Sequence, residues 1–282
     1  LEVLEAAIAK GNFDKPKPAN VGRGIAIVHR HLGGGESEVL LRVAEDGQVT
    51  LVTGTPDAGV GAHTMMRQVI GEVLSLPLER ISVTVANTDV APVDAGLGAS
   101  RTTHITGTAI MNASKTAAAE LRGWAAEIRG WQESEVELRD GAFSRVWGLG
   151  SRVSGQKTDS GLRTQDSGLD IRPVSWAEAA ARAVGRRGQP LEFRAVYKQM
   201  HADQECMAAQ VAEVSVDPET GQVKVLSMVS AHDIGTMINP MFAEGQVEGG
   251  LSQGFGFGLM EEIIVEDGKV ANPNMGEYKI PT

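Results

Sequence analysis

The chain has 282 residues, 42% of them hydrophobic and 22% charged, with a formal net charge of −10 and a single cysteine. That is room for one large or two ordinary globular domains, and the acidic balance excludes a general nucleic-acid binder, which needs a basic face. Cys206 alone can build neither an intrachain disulfide nor a cysteine-ligated cluster and is read as a small hydrophobe. No apolar run approaches the ~20 residues of a membrane span and no signal peptide is recognisable, so a cytoplasmic location without membrane contact is expected.

The chain opens on a short helical pattern, LEVLEAAIAK, followed by the Pro-rich connector DKPKPAN. GRGIAIVHRHLGG then reads as a strand ending in glycines, and SEVLLRVAEDGQVTLVTG as a hairpin turning at EDGQ. The second arm, VTLVT, feeds a Gly-rich loop, GTPDAGVGAHT, and a helix follows with apolar spacing at Met66, Val69, Ile70, Val73 and Leu74 that stops before Pro77. RISVTVANT is the next strand; it leads through DAGLGASRTTHITG into a long helix, TAIMNASKTAAAELRGWAAEIRG. One unit, strand then Gly-rich loop then helix, thus occurs twice, although the side chains do not keep the register of a sequence repeat.

Residues 148–170 are polar, rich in Gly and Ser, and lack apolar periodicity, as expected of an exposed excursion. SWAEAAARAVG is a short helix with Ser175 and Glu178 spaced as a capping box. LEFRAVY is a strand and AAQVAEVSVDPETGQVKVLSMVSAHDIG a hairpin, after which EGQVEGGLSQGFGFGLMEE reads as a helix whose glycines admit a close backbone or a flat ligand. EIIVEDGKVANPN closes the series as one more hairpin. Hairpins and helices mixed in this way give an α+β fold with mixed or antiparallel sheets rather than a doubly wound parallel sheet. The division expected is a first α+β half over 1–147 with two Gly-rich loops, the excursion over 148–170, and a second α+β half over 171–282.

A Gly-rich loop between strand and helix presents N–H groups that no helical carbonyl satisfies, at the positive end of the helix dipole, where an anion such as phosphate fits. Gly59–Thr64 and Gly96–Thr102 are two such places, expected to lie close together; the plainer reading is that their glycines only cap and turn. Neither is a nucleotide-triphosphate loop: after Gly54 and Gly59 the pattern requires Lys, where the chain has Val60. GLGASR has Arg101 where a dinucleotide fingerprint requires Gly, and GFGFG lacks its spacing. His63 and His104 each stand near a helix start, but no H-x-x-x-H or H-E-x-x-H spacing marks a metal site.

GQVTLVTGTPDAGVGAHT, LPLERISVTVANTDVAPVDAGLGASRTTHITG, VDPETGQV, AHDIGTMINPMFAEGQVEGGLSQGFGFGLMEE and NPNMGEYKIPT, in that order, resemble the molybdenum-binding large subunit of the xanthine dehydrogenase/aldehyde oxidase family over about residues 20–282. The resemblance implies a molybdenum hydroxylase that binds molybdopterin, often as its cytosine dinucleotide. Such an enzyme hydroxylates a small aldehyde or N-heterocycle with oxygen from water and passes electrons through iron–sulfur clusters to FAD on partner subunits or domains. Carried over by position, the cofactor-binding residues are Ala58, Gly59 and Gly61, then Leu97, Ala99, Ser100 and Thr102, then Gln246. Ala99 would lie beside the substrate. Val60 departs from the family, which often has Gln within G-Q-G. The family's catalytic Glu lies beyond the YKIPT segment, so no catalytic residue is expected before Thr282, and both ends read as cuts through a longer polypeptide. The chain by itself is therefore expected to be inactive and the whole protein an oligomer with iron–sulfur and flavin partners. The alternative is a non-catalytic scaffold domain that kept the fold and lost the cofactor.

Overall fold

The computed structural model describes residues 1–85, 87–146, 170–279 and 281. The excursion expected over 148–170 thus lies outside the described residues except for Asp170. Among the described residues the fold is a mixture of five α-helices with mixed and antiparallel open sheets, the α+β class expected. The chain divides into two compact units, a central one over Gly33–His201 and a split one over Leu1–Leu32 with Ala202–Thr282.

Two long strands run through both units: β1 over Val21–Val43 and β7 over Leu191–Val216. The sequence suggested a break in each. In β1 the glycines that read as a stop serve a close approach instead. A Cβ on Gly34 would overlap the carbonyls of Gln199 and Met200, and one on Gly33 would lie 2.6 Å from the Ala99 Cβ. Only glycine lets the backbones come that near, and the strand continues past them.

In the central unit β1 turns at Gly47 (φ 79°) into the antiparallel β2 over Val49–Thr53, with Leu41 opposite Leu51. β2 then pairs in parallel with β3 over Ile81–Val85, through the crossover helix α2 over Ala62–Leu74. α2 buries Met66, Ile70 and Leu74 at helical spacing and ends at Ser75, which takes left-handed φ and ψ two residues before Pro77. α3, over Thr102–Arg129, lays Ala109, Ala113 and Ala117 along one face, every one of them fully buried. Small side chains at four-residue spacing keep that face narrow, and it is buried in the same core as α2. β4 over Val136–Arg139, β5 over Ala142–Arg145 and β6 over Val174–Ser175 form a small sheet whose first turn is Asp140-Gly141, both at positive φ. α4, over Trp176–Arg187, opens on Ser175, whose side chain accepts the Glu178 N–H. The Glu178 carboxylate does not complete a reciprocal box; it pairs with Arg129 at 3.1 Å. Trp176 stacks on Phe143 and donates its indole N–H to the Gly47 carbonyl, which ties α4 to the first hairpin.

In the split unit α1, over Glu2–Lys10, sets Ala7 against Ala209 and Val211 of β7. Arg23 of β1 pairs with Glu213 and donates to the carbonyls of Asn12 and Lys15. β7 turns at 217–222 into the antiparallel β8 over Val223–Asp233, the Asp217 carboxylate accepting the Glu219 and Thr220 N–H groups. α5, over Pro240–Leu259, is capped by Asn239, and its only buried residue is Gly256. β9 over Val265–Glu266 and β10 over Lys269–Val270 close through Asp267-Gly268, again both at positive φ.

Candidate functional site

β2 and β3 are parallel neighbours with Thr53 opposite Val85, so the two Gly-rich loops leave the same edge of the sheet, at the carboxyl ends of adjacent strands. Such a crevice is where open sheets hold ligands. The loops also meet at their bases: a Cβ on Gly54 would lie 2.7 Å from the Pro92 carbonyl oxygen. One turn further on, the Met65 sulfur lies 3.9 Å from the Cβ position of Gly107. These contacts join the first and second loops within one unit.

The two loops share more than their side-chain register suggested. Asp57-Ala58-Gly59 and Asp94-Ala95-Gly96 form the same turn, in which the aspartate accepts the N–H of the glycine two residues on, at 3.1 and 2.6 Å. Gly59 and Gly96 both take positive φ, 95° and 85°, which explains glycine at the third position of each turn. In each loop an apolar residue and a second glycine follow, Val60-Gly61 and Leu97-Gly98.

They differ in what the aspartate does next. Asp57 is exposed and spans the start of α2, accepting the His63 N–H at 3.4 Å as well as that of Gly59. Burial raises its pKa, but the N–H groups of Gly59 and His63, the charge of His63 and the N–H of Gly61 outweigh this and hold it below the ordinary 3.8. The first loop therefore already contains an anion. The His63 Nε2 lies 3.0 Å from the Thr55 carbonyl, an acceptor only, so that nitrogen carries the hydrogen. Asp94 instead turns inward. Its carboxylate accepts from Ser37 and Thr106, whose hydroxyl oxygens lie 3.0 Å apart, and stands 3.7 Å from the Arg101 guanidinium. Arg101 is itself buried and donates to the carbonyls of Gly34, Gly96 and Glu36, stapling the second loop to β1.

α3 consequently starts without a cap. Arg101 occupies the N-cap position and makes no capping bond, and the N–H groups of Thr102, Thr103 and His104 donate to no described residue. Just before them Ala99 and Ser100 sit at φ 50° and 58°, a left-handed conformation that costs non-glycine residues of order 1 kcal/mol each. The Ala99 carbonyl is held by the Gly33 N–H at 2.7 Å. The strained pair turns the chain so that Arg101 enters the interior while Ala99 and Ser100 stay exposed.

Of the residues singled out from the sequence, Ala58, Gly59, Gly61, Leu97, Ala99, Ser100 and Thr102 all lie in these two loops or on the first residue of α3. Leu97 packs its side chain on the hydrophobic core, leaving its backbone to the loop. Gln246 is exposed on α5, in the split unit. Beside it in that unit, a cavity of about 450 Å³ is lined by His232, Asp233, Glu244 and Glu248, but not by Gln246. Among the described residues no helix is long and apolar enough to cross a membrane. Sequence reasoning passed over Asp57, Asp94 and Arg101; the signal that would have found the first two is the repeated Asp-Ala-Gly.

Loops of this kind at the ends of parallel strands define a ligand-binding α+β domain. The chain matches the molybdopterin cofactor-binding domain model over residues 2–282, and it belongs to that family. It is 28% identical over 249 residues to the putative xanthine dehydrogenase molybdenum-binding subunit XdhA of Escherichia coli, covering 86% of this chain and 30% of that protein. It is 29% identical over 246 residues to the nicotine 6-hydroxylase large subunit of Paenarthrobacter nicotinovorans, covering 86% and 28%. Among solved structures, the reconstituted CO dehydrogenase from Oligotropha carboxidovorans superposes with a TM-score of 0.77 at 25% identity, covering 99% of this chain and 34% of the other. The chain thus spans about a third of the length of these relatives.

Proposed function

We propose that the two loops hold the phosphorylated pterin of a molybdenum hydroxylase, through Ala58, Gly59, Gly61, Leu97, Ala99, Ser100 and Thr102. The observation that carries this reading is the uncapped start of α3, where three N–H groups follow two small exposed residues. An anionic phosphate fits there because the helix dipole and the free donors act together. The first loop is different, since Asp57 already accepts its N–H groups; the residues around it suit the neutral edges of a pterin better than a second anion. When bound, the cofactor supplies two-electron oxidation of an activated carbon with oxygen from water. The loops contribute binding and orientation, and the buried Arg101 staple keeps the second loop in place.

In the whole protein the substrate is a small aldehyde or N-heterocycle, and electrons leave through iron–sulfur and flavin centres on partner subunits or domains. A cytoplasmic enzyme and the cytosine dinucleotide form of the cofactor belong to the same proposal. One observation favours a second reading, a scaffold domain that kept the fold but not the cofactor: Asp57 fills the first loop, and Val60 beside it offers no polar side chain.

The test is Ser100→Glu in the full-length gene product. Ser100 is exposed, so folding should survive, while a carboxylate beside the start of α3 takes the place of the phosphate. Molybdenum by elemental analysis and pterin by fluorescence after oxidation should both be present in the wild type and lost in the variant. A wild-type protein that carries neither would establish the scaffold reading.

A further inference from the structure

One constellation in the central unit lies outside the loops. β7 alternates here, with Tyr197 and Gln199 half-buried on one face and Val196, Lys198 and Met200 exposed on the other. Gln199 Oε1 receives the His104 Nε2 at 2.6 Å and the Tyr197 hydroxyl at 2.9 Å. The rings of His104 and Tyr197 meet edge to face, with centroids 5.8 Å apart. A carboxamide oxygen offers two lone pairs, and both are used. The amide nitrogen, with two hydrogens to donate, bonds no described residue. His104 belongs to the first turn of α3, the turn whose own N–H groups lack partners. The backbone of Gln199 is also fixed, because its carbonyl lies against Gly34, and neighbouring Gly33 holds Ala99. Two aromatic side chains thus fix the plane of one amide at the opening of the second loop and leave its donors unused.

We propose that Gln199 is a further binding residue for the ligand held at the start of α3, its carboxamide N–H donating to an anionic oxygen of that ligand, with His104 and Tyr197 as the positioning residues that set the amide plane. The inference rests on the reading that the second loop holds the phosphorylated pterin. It adds a contact from β7, a strand that none of the loop residues belongs to.

The decisive variant is Gln199→Glu in the full-length gene product, isolated with whatever subunits accompany it. Glutamate keeps the length and still accepts from His104 and Tyr197, so a Gln199 that only braces those rings is replaced without loss. Glutamate presents an anion where the amide presented donors. Pterin and molybdenum retained per chain after gel filtration should therefore fall about tenfold or more, the scale of one hydrogen bond to a charged group, while the melting temperature of the cofactor-free protein stays at the wild-type value. Gln199→Met, which removes the donor without adding charge, should lose less cofactor than Gln199→Glu, and it decides the matter if the glutamate variant fails to fold. Retention at the wild-type level in Gln199→Glu, in a protein that loses its cofactor through Ser100→Glu, overturns the role of Gln199 and leaves the loop reading standing. A wild-type protein without pterin overturns both.

Discussion

Arg101 and Asp94 face each other at 3.7 Å with side-chain exposures of only 5% and 3%, at the point where the second loop turns into α3. Each also serves the backbone, Arg101 by donating to three carbonyls and Asp94 by accepting the Gly96 N–H. Removing one member leaves the other charge buried and the carbonyls unpaired. Arg101→Ala is therefore expected to destabilise the chain by about 3–5 kcal/mol, the usual cost of breaking a buried pair, measured as a shift of the urea midpoint. Arg101→Lys restores the charge but not the three-way fork and should recover less than half of the loss.

Asp57 closes the first loop from the outside. Asp57→Ala removes the acceptor for the Gly59 and His63 N–H groups and should cost about 1 kcal/mol, as for the loss of a helix cap. Because its folded pKa lies below 3.8, its contribution is complete above that value and disappears as pH falls through the folded value. Urea unfolding of the variant and wild type should differ at pH 7 and converge once the pH has fallen below the folded value. A gap that stayed constant down to low pH would show that the carboxylate is not the group responsible.

Glu261 lies where a Cβ on Gly256 would overlap it, and it accepts the hydrogen bond that, with burial, raises the pKa of Tyr278 above 10.0. Glu261→Gln should return the Tyr278 titration toward 10.0. Ultraviolet difference titration in a Tyr197→Phe background isolates the signal, since these are the only two tyrosines. The raised value has a sign: the contact stabilises the fold fully below the unfolded pKa and is lost as pH rises through the folded one.

Two glycines of β1 should respond differently to the same substitution. Gly34→Ala places a methyl group into the carbonyls of Gln199 and Met200, backbone atoms that cannot move aside, and a loss of about 3 kcal/mol is expected. At Gly24 nothing lies within 4 Å, so Gly24→Ala should be neutral or slightly stabilising, within about 0.5 kcal/mol, by reducing the freedom of the unfolded chain. Calorimetric melting of the two variants side by side checks this; equal shifts would mean that the close approach at Gly34 is absent.

Most of the elements were legible along the chain because each rests on short-range physics. The spacing of Met66, Ile70 and Leu74 sets the buried face of α2, Ser175 with the Glu178 N–H begins α4, and the turn at 44–48 closes the first hairpin. The mixed α+β class followed from the same signals, as did the two strand–loop–helix units. The continuity of β1 and β7 was not legible. A glycine run reads as a stop from inside the strand, and only the carbonyls of Gln199 and Met200 on the neighbouring strand turn it into a place of contact.

The sequence by itself determined where the loops are, which residues are small enough to line them, and the family they belong to, because composition and local spacing are properties of neighbours in the chain. Tertiary structure alone decided what each loop does with its aspartate. Asp57 and Asp94 stand in the same Asp-Ala-Gly turn, yet Ser37 and Thr106, 57 and 12 residues away from Asp94, draw that carboxylate inward, while Asp57 stays outside, before the start of α2. The same holds for Gln199, whose oxygen is engaged by a histidine 95 residues away. Which donors remain free for a ligand depends on partners distant in sequence, and only the folded chain brings those together.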